Sequence, residues 1–98
     1  MANRITESDL KGLCDRLNRL TGSPMAPYAY DAAKGKHCAQ IGNFHISHAY
    51  GGVSLHRMHN DGGGVSSPLG GGHVPKRELY ERMYAFICGI ESAKDGAL

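Results

Sequence analysis

No stretch of 18 consecutive apolar residues occurs in the chain, which excludes a helix of the length and apolarity that crosses a membrane. The opening MANRITESDL has no apolar core of the kind a secretory signal needs, so no signal is expected. There are three cysteines, Cys14, Cys38 and Cys88, widely spaced and without a CxxC pair. An odd, scattered set is a poor disulfide framework and suits a reducing compartment such as the cytosol. Charge of one sign is lacking too. The 11 Lys and Arg stand against 9 Asp and Glu, a net +2, far from the basic load of a dedicated DNA binder. Neither a GxSxG elbow nor a GxxxxGK[ST] phosphate loop is present. The central region holds only Asp31 and Asp61 as carboxylates, so paired-carboxylate acid–base chemistry has no footing there.

What is present is unevenly distributed. The 98 residues, 41% hydrophobic, make one domain over residues 1–98 with one modest core. All six histidines lie between His37 and His73, and 11 of the 14 glycines between Gly22 and Gly72. Charged, helix-forming ends flank this middle. Leu10, Leu13, Cys14, Leu17 and Leu20 recur at helical spacing and predict a helix over Thr6 to Leu20. Thr6 with Asp9 can cap its first turn, and Gly22 and Pro24 end it. A second helix is predicted over Pro75 to Glu91, with Leu79, Met83, Phe86, Ile87 and Ile90 as its stripe and Tyr80 and Tyr84 beside it. Cys14 and Cys88 are both expected to be buried thiols.

Between the helices the pattern alternates. Residues 22–36 read as a connector with no firm strand. The segments from His37 to Ile41, Phe44 to Tyr50 and Val53 to His59 read as a three-stranded meander, turning at Gly42-Asn43 and Gly51-Gly52. A two-residue turn at Gly42-Asn43 would pair Ile41 with Phe44, Ala39 with Ile46 and His37 with His48. One face then carries Ala39, Ile41, Phe44, Ile46, Val53 and Leu55. The other carries Cys38, Gln40, His45, Ser47, Ser54, His56 and Met58. The second hairpin admits two registers. His48 opposite Val53 sets His45 directly against His56, whereas Tyr50 opposite Val53 makes them diagonal neighbours. The predicted architecture is an α+β fold of order α-β-β-β-α, a three- to four-stranded antiparallel sheet with both helices on one face.

Candidate chemistry is sparse. His45-x-x-His48 and His56-x-x-His59 have ligand-like spacing, but residues three apart on a strand face opposite ways, so no metal site is expected. No cofactor and no catalytic set is expected either. The loop from Asn60 to His73 holds six glycines in 14 residues. Gly62, Gly63, Gly64, Ser66 and Ser67 there, with Lys76 and Arg77 at the following helix start, could cradle a small anion such as a nucleotide. The competing reading is a mobile linker. Gln40, His45, Ser47 and His56 form a candidate face for a protein partner. Cys38 with His45 would serve a small enzyme, and Lys34, Lys36, Arg57, Lys76 and Arg77 a nucleic-acid module. An open sheet also gives a small domain reason to form a homodimer, through the edge from Val53 to His59 or through the polar faces.

The run IGNFHISHAYGG, residues 41–52, and the run KRELYERMYAFICGIE, residues 76–91, resemble small proteins encoded by tailed phages and prophages. Those stretches and the residues between them span about half of the chain, from Ile41 to Glu91. The resemblance implies a setting in the bacterial cytoplasm. There, small accessory proteins inhibit or sequester host components, including those of antiphage defence and their cyclic-nucleotide signals. It carries no activity over to any particular residue.

Overall fold

A computed structural model describes residues 4–96, leaving residues 1–3 and 97–98 of the expected single domain outside the described residues. Helix α1 spans Glu7–Thr21. It starts where Thr6 Oγ1 accepts from the Asp9 amide and the Asp9 carboxylate accepts from the Thr6 amide, a reciprocal cap that satisfies two free donors. It stops at Gly22, whose φ of 69° closes the last turn in the left-handed region. Strands β1 (Tyr28–Asp31) and β2 (Lys36–Ala39) form a two-stranded antiparallel hairpin. Strands β3 (Phe44–Ala49), β4 (Gly52–Met58) and β5 (Val65–Ser66) form a three-stranded antiparallel sheet in that order. Helix α2 spans Lys76–Lys94. Both helices lie on one face of the larger sheet, α1 over β3 and α2 over β4.

The core sits between them. Leu10, Leu13, Cys14 and Leu17 of α1 meet Phe44, Val53 and Leu55 of the sheet and Leu79, Met83 and Ile87 of α2. Burying a side chain of the size of Leu55 stabilises by about 1.5–3 kcal/mol. The α+β class, the element order and the helices on one face are as the sequence pattern predicts.

The details of the strands differ. Residues 28–31, read as connector, are a strand, and β2 pairs with it rather than with β3: Tyr28 faces Ala39 and Tyr30 faces His37. The pairings of Ile41 with Phe44, Ala39 with Ile46 and His37 with His48 therefore do not form, and Ile41 is 61% exposed. Two causes are visible. The hairpin closes locally, because the Asp31 carboxylate accepts from the Ala33 and Lys34 amides and Gly35 takes φ 66°. Meanwhile the start of β3 is already engaged. Asn43 is fully buried, its Nδ2 donates to Pro24 C=O at 2.8 Å and its C=O accepts from the Met58 amide.

In the second hairpin His48 faces Val53 and His45 faces His56, the first of the two registers. Its turn is Tyr50-Gly51, one residue earlier than expected, with φ of 54° and 72°. Gly52 serves close approach instead. A Cβ there would lie 3.0 Å from Val74 C=O and 3.1 Å from the Val74 amide nitrogen. Cys14 is buried as expected, but Cys88 is exposed, because it falls outside the 79–83–87 stripe of α2.

Candidate functional site

The glycine-rich segment is built into the sheet. The Asn60 side-chain oxygen accepts from the amides of both Gly62 and Gly64 at 3.0 Å, and His59 donates to Gly64 C=O at 2.8 Å. The amides expected to face an anion thus have partners within the turn. Ser66 pairs with Arg57 in β5. Lys76 stands 3.6 Å from Glu7, beside Gly52 and the β3–β4 turn. The seven strand residues from Gly52 to Met58 span about 20 Å. Gly62, Gly63, Gly64 and Ser66 therefore gather at one end of β4, while Lys76 and Arg77 lie at the other. The two halves of the proposed anion cradle are not brought together.

Downstream, the same segment returns to β4. Val53 and Val74 exchange both backbone hydrogen bonds at 2.8 Å. This lays His73 over the outer face of the sheet, away from the helices. Ser47 Oγ and His73 Nε2 share a hydrogen bond of 3.2 Å, and Ser54 beneath is only 2% exposed. His45, His56 and His73 form a row of edge-to-face rings with centroids 5.8 Å and 6.2 Å apart, which Tyr50 extends at 5.9 Å from His73. Burial, then the neighbouring His56 charge, lowers the His45 pKa. Burial, then His73, lowers that of His56. Both shifts favour the neutral imidazole at His45 and His56. Of the face expected to meet a protein, His45, Ser47 and His56 are together, whereas Gln40 lies beyond the β1–β2 hairpin with its side chain donating to Ala26 C=O at 2.8 Å. Ser54 and Met58, read as polar-face positions, are buried.

Cys38 belongs to the small hairpin and His45 to the larger sheet, so that enzyme pair is not assembled. Ser47 with His73 is a hydroxyl–imidazole contact, but no hydrogen bond or ion pair to a carboxylate is present at His73 among the described residues. The Cys14 thiol is pushed up to about 12 by burial, which makes it inert as a nucleophile. Among the described residues no group of three His, Cys, Asp or Glu side chains is placed to hold one ion.

A concave site with mainly apolar walls lies along β3. A groove of about 420 Å³ runs between α1 and β3. Glu7, Lys11, Cys14 and Asp15 form one wall, Phe44, His45, Ile46 and His48 the other, and Met25–Pro27 close one end. Its rim charges are matched among themselves: Lys11 to Asp15 at 2.6 Å and His48 to Glu7 at 2.7 Å. The His48 hydrogen bond, more than the Lys76 charge, lowers the Glu7 pKa.

The groove follows an unpaired strand edge. β3 is terminal in the sheet, with β4 on one side only. At Phe44 the outward backbone groups are satisfied by a side chain. Its amide donates to Asn18 Oδ1 at 2.8 Å and its carbonyl accepts from Asn18 Nδ2 at 3.1 Å, all buried. Antiparallel ladders alternate residue by residue, so Ile46 and His48 turn their peptide groups the same way as Phe44. Among the described residues those groups have no hydrogen-bond partner. Sequence reasoning missed this edge, because it assigned β2 there. It missed Asn18 as well, although a polar residue four positions after Cys14 and eight after Leu10, on the apolar stripe, signals a buried polar contact. The edge from Val53 to His59 expected for a dimer is interior to the sheet, flanked by β3 and by β5 with Val74.

Comparison of the chain with family models, with curated proteins and with solved structures yields no match.

Proposed function

We propose that this chain is a small non-enzymatic binding protein of phage or prophage origin. It acts in the bacterial cytoplasm by occupying the surface of a host protein, with antiphage defence components as the favoured targets. The observation that supports this reading is the apolar groove beneath α1, bounded by two rigid elements and open along its length. Small-molecule and peptide sites are concave and mostly apolar, with a few placed polar groups. The described surface offers such a concavity, and the thiol in its wall, Cys14, is pushed up to about 12 by burial. A cyclic nucleotide is the less supported target, because the Gly62 and Gly64 amides are engaged by Asn60.

A binder that works by occupation acts in proportion to its amount. Cells producing graded levels of the chain, challenged with a panel of tailed phages, should show plaquing efficiency that rises with the level produced. Ile46→Asp, which puts a charge in the groove wall, should abolish the effect while the purified variant keeps its helical circular dichroism. Unchanged plaquing across the panel at every level overturns the reading. So does full potency at trace levels, the mark of turnover.

A further inference from the structure

We infer that the open edge of β3 is a strand-addition site, at which an extended segment of a partner protein pairs with Ile46 and His48 and lays alternate side chains into the groove beneath α1. This rests on the binding-protein reading above and names the form of the target.

Three observations carry it. First, Ile46 and His48 present two peptide N–H donors and two C=O acceptors along one edge, spaced as an antiparallel or parallel strand needs them. Backbone groups in that array are matched best by another extended backbone. Second, the groove lies on the helix side of that edge. A strand placed about 4.8 Å from β3 turns every second side chain toward the helices, where Cys14, Met25, Phe44 and Ile46 form apolar walls. The remaining side chains fall on the outer face beside His45 and Ser47. The segment therefore alternates, apolar inward and polar outward. Third, the rim groups already have partners, Lys11 with Asp15 and Glu7 with the His48 ring and Lys76, so the site makes little demand on the charge of its occupant.

The helix wall also decides between occupants. α1 stands over the open edge and lines the groove beyond it. A second copy joined edge to edge about a two-fold axis would bring its own α1 to the same side of the sheet. Paired strands lie about 4.8 Å apart, whereas packed helices need about 8–10 Å. A peptide strand carries no such helix. A two-fold dimer through this edge is thus disfavoured.

The test uses the full chain and a displayed library of random ten-residue peptides, followed by synthetic copies of the enriched sequences. Enriched peptides should share one or two bulky apolar residues in alternation with polar ones. Their binding should change little between low and high salt. His48→Pro removes one outward N–H without taking a bond from the β3–β4 ladder. It should weaken binding about tenfold or more, as loss of a backbone hydrogen bond and close approach requires. His48→Ala keeps the amide but takes the ring from the groove wall, so its loss should be clearly smaller than that of His48→Pro. If His48→Pro does not fold, N-methylation of alternate amides of the peptide gives the same readout from the other side, with loss at one parity and tolerance at the other.

A library that yields no binder overturns the inference. So do binders equally affected by His48→Pro and His48→Ala, binders indifferent to amide methylation, or a solution dimer that His48→Pro dissolves. Binders that meet these criteria in a chain without effect on any phage would leave the strand site standing and remove only the biological reading. A chain active on phage whose potency survives His48→Pro would do the reverse.

Discussion

The two long edges of the three-stranded sheet are finished in opposite ways. On the far side of β4 the chain uses β5 at one end and the Val53–Val74 pair at the other, and the glycine-rich segment between them swings His73 across the outer face. On the β3 side it uses a single side chain, Asn18, and leaves Ile46 and His48 open beside an apolar groove. Glycine content suggested an anion cradle in the first region, with a mobile linker as the competing reading. The structure gives that region a closing role and leaves the concave surface to a stretch that alternates regularly. Flexibility in composition is thus a poor guide to function when the flexible residues are used to fit backbone against backbone, as Gly52 is against Val74.

The largest effect should come from breaking what both edges share. Leu55 is 1% exposed in β4, between the edges and under both helices. Leu55→Ala should cost about 2–5 kcal/mol. Denaturant unfolding followed by circular dichroism checks it, and an unchanged midpoint would contradict the core described above.

Asn18 comes next. Its amide is 1% exposed and makes both hydrogen bonds to Phe44. Asn18→Leu keeps the branched shape but leaves a buried N–H and C=O unpaired, at about 1–3 kcal/mol each, partly relieved if water enters the groove. Faster amide exchange at Phe44, with the Val53–Val74 bridge unaffected, would separate the open edge from the closed one.

Gly52→Ala works on the closed edge. The added Cβ meets Val74 at 3.0 Å and the His73 carbonyl carbon at 3.1 Å, so the returning segment must shift. A cost of about 1–3 kcal/mol is expected. Loss of the ring-current shifts that His73 and Tyr50 exert on each other would show the segment displaced while β3 keeps its exchange protection.

The smallest effect is a pH dependence that spans both sides, through His45 on β3 and His56 on β4. His45 and His56 carry pKa values lowered from 6.5 in the folded protein, so the unfolded chain binds their protons first. The stability they contribute is present above pH 6.5 and declines as pH falls below it toward the folded values. Glu7, lowered from 4.5 by His48, adds a separate decline only below about that value. A melting-temperature series from pH 8 to pH 4 should show the first decline flattened in a His45→Gln, His56→Gln double variant and the second left in place. A first decline that persists in the double variant would assign it to other groups.

The helices, their stripes, the α+β class and the pairing of β3 with β4 were legible because each rests on local periodicity, while two registers of that pairing stayed open. Leu10 to Leu17, Leu79 to Ile87 and Phe44 to Leu55 repeat at the spacing of their elements. The partner of β2 was not legible. Ala39 and Ile41 suit a place beside β3 as well as one beside β1, and the decision falls to Asn18 and Asn43, whose side chains act across 26 and 19 residues. The candidate site was partly legible for the same reason. His45 beside His56 on one face follows from either register, whereas His73 arrives through a long loop and the groove appears only once β2 is elsewhere.

Asn18 has a consequence for the behaviour of the protein at high concentration. An unpaired strand of six residues is a template for sheet-to-sheet stacking and fibre growth. By imitating a neighbouring peptide at Phe44, the Asn18 amide shortens the vacant stretch to its last two outward positions, and α1 overhangs what is left. One side chain thus sets how long a foreign strand must be to find a match. It also withholds from identical molecules the continuous edge along which they would otherwise accumulate.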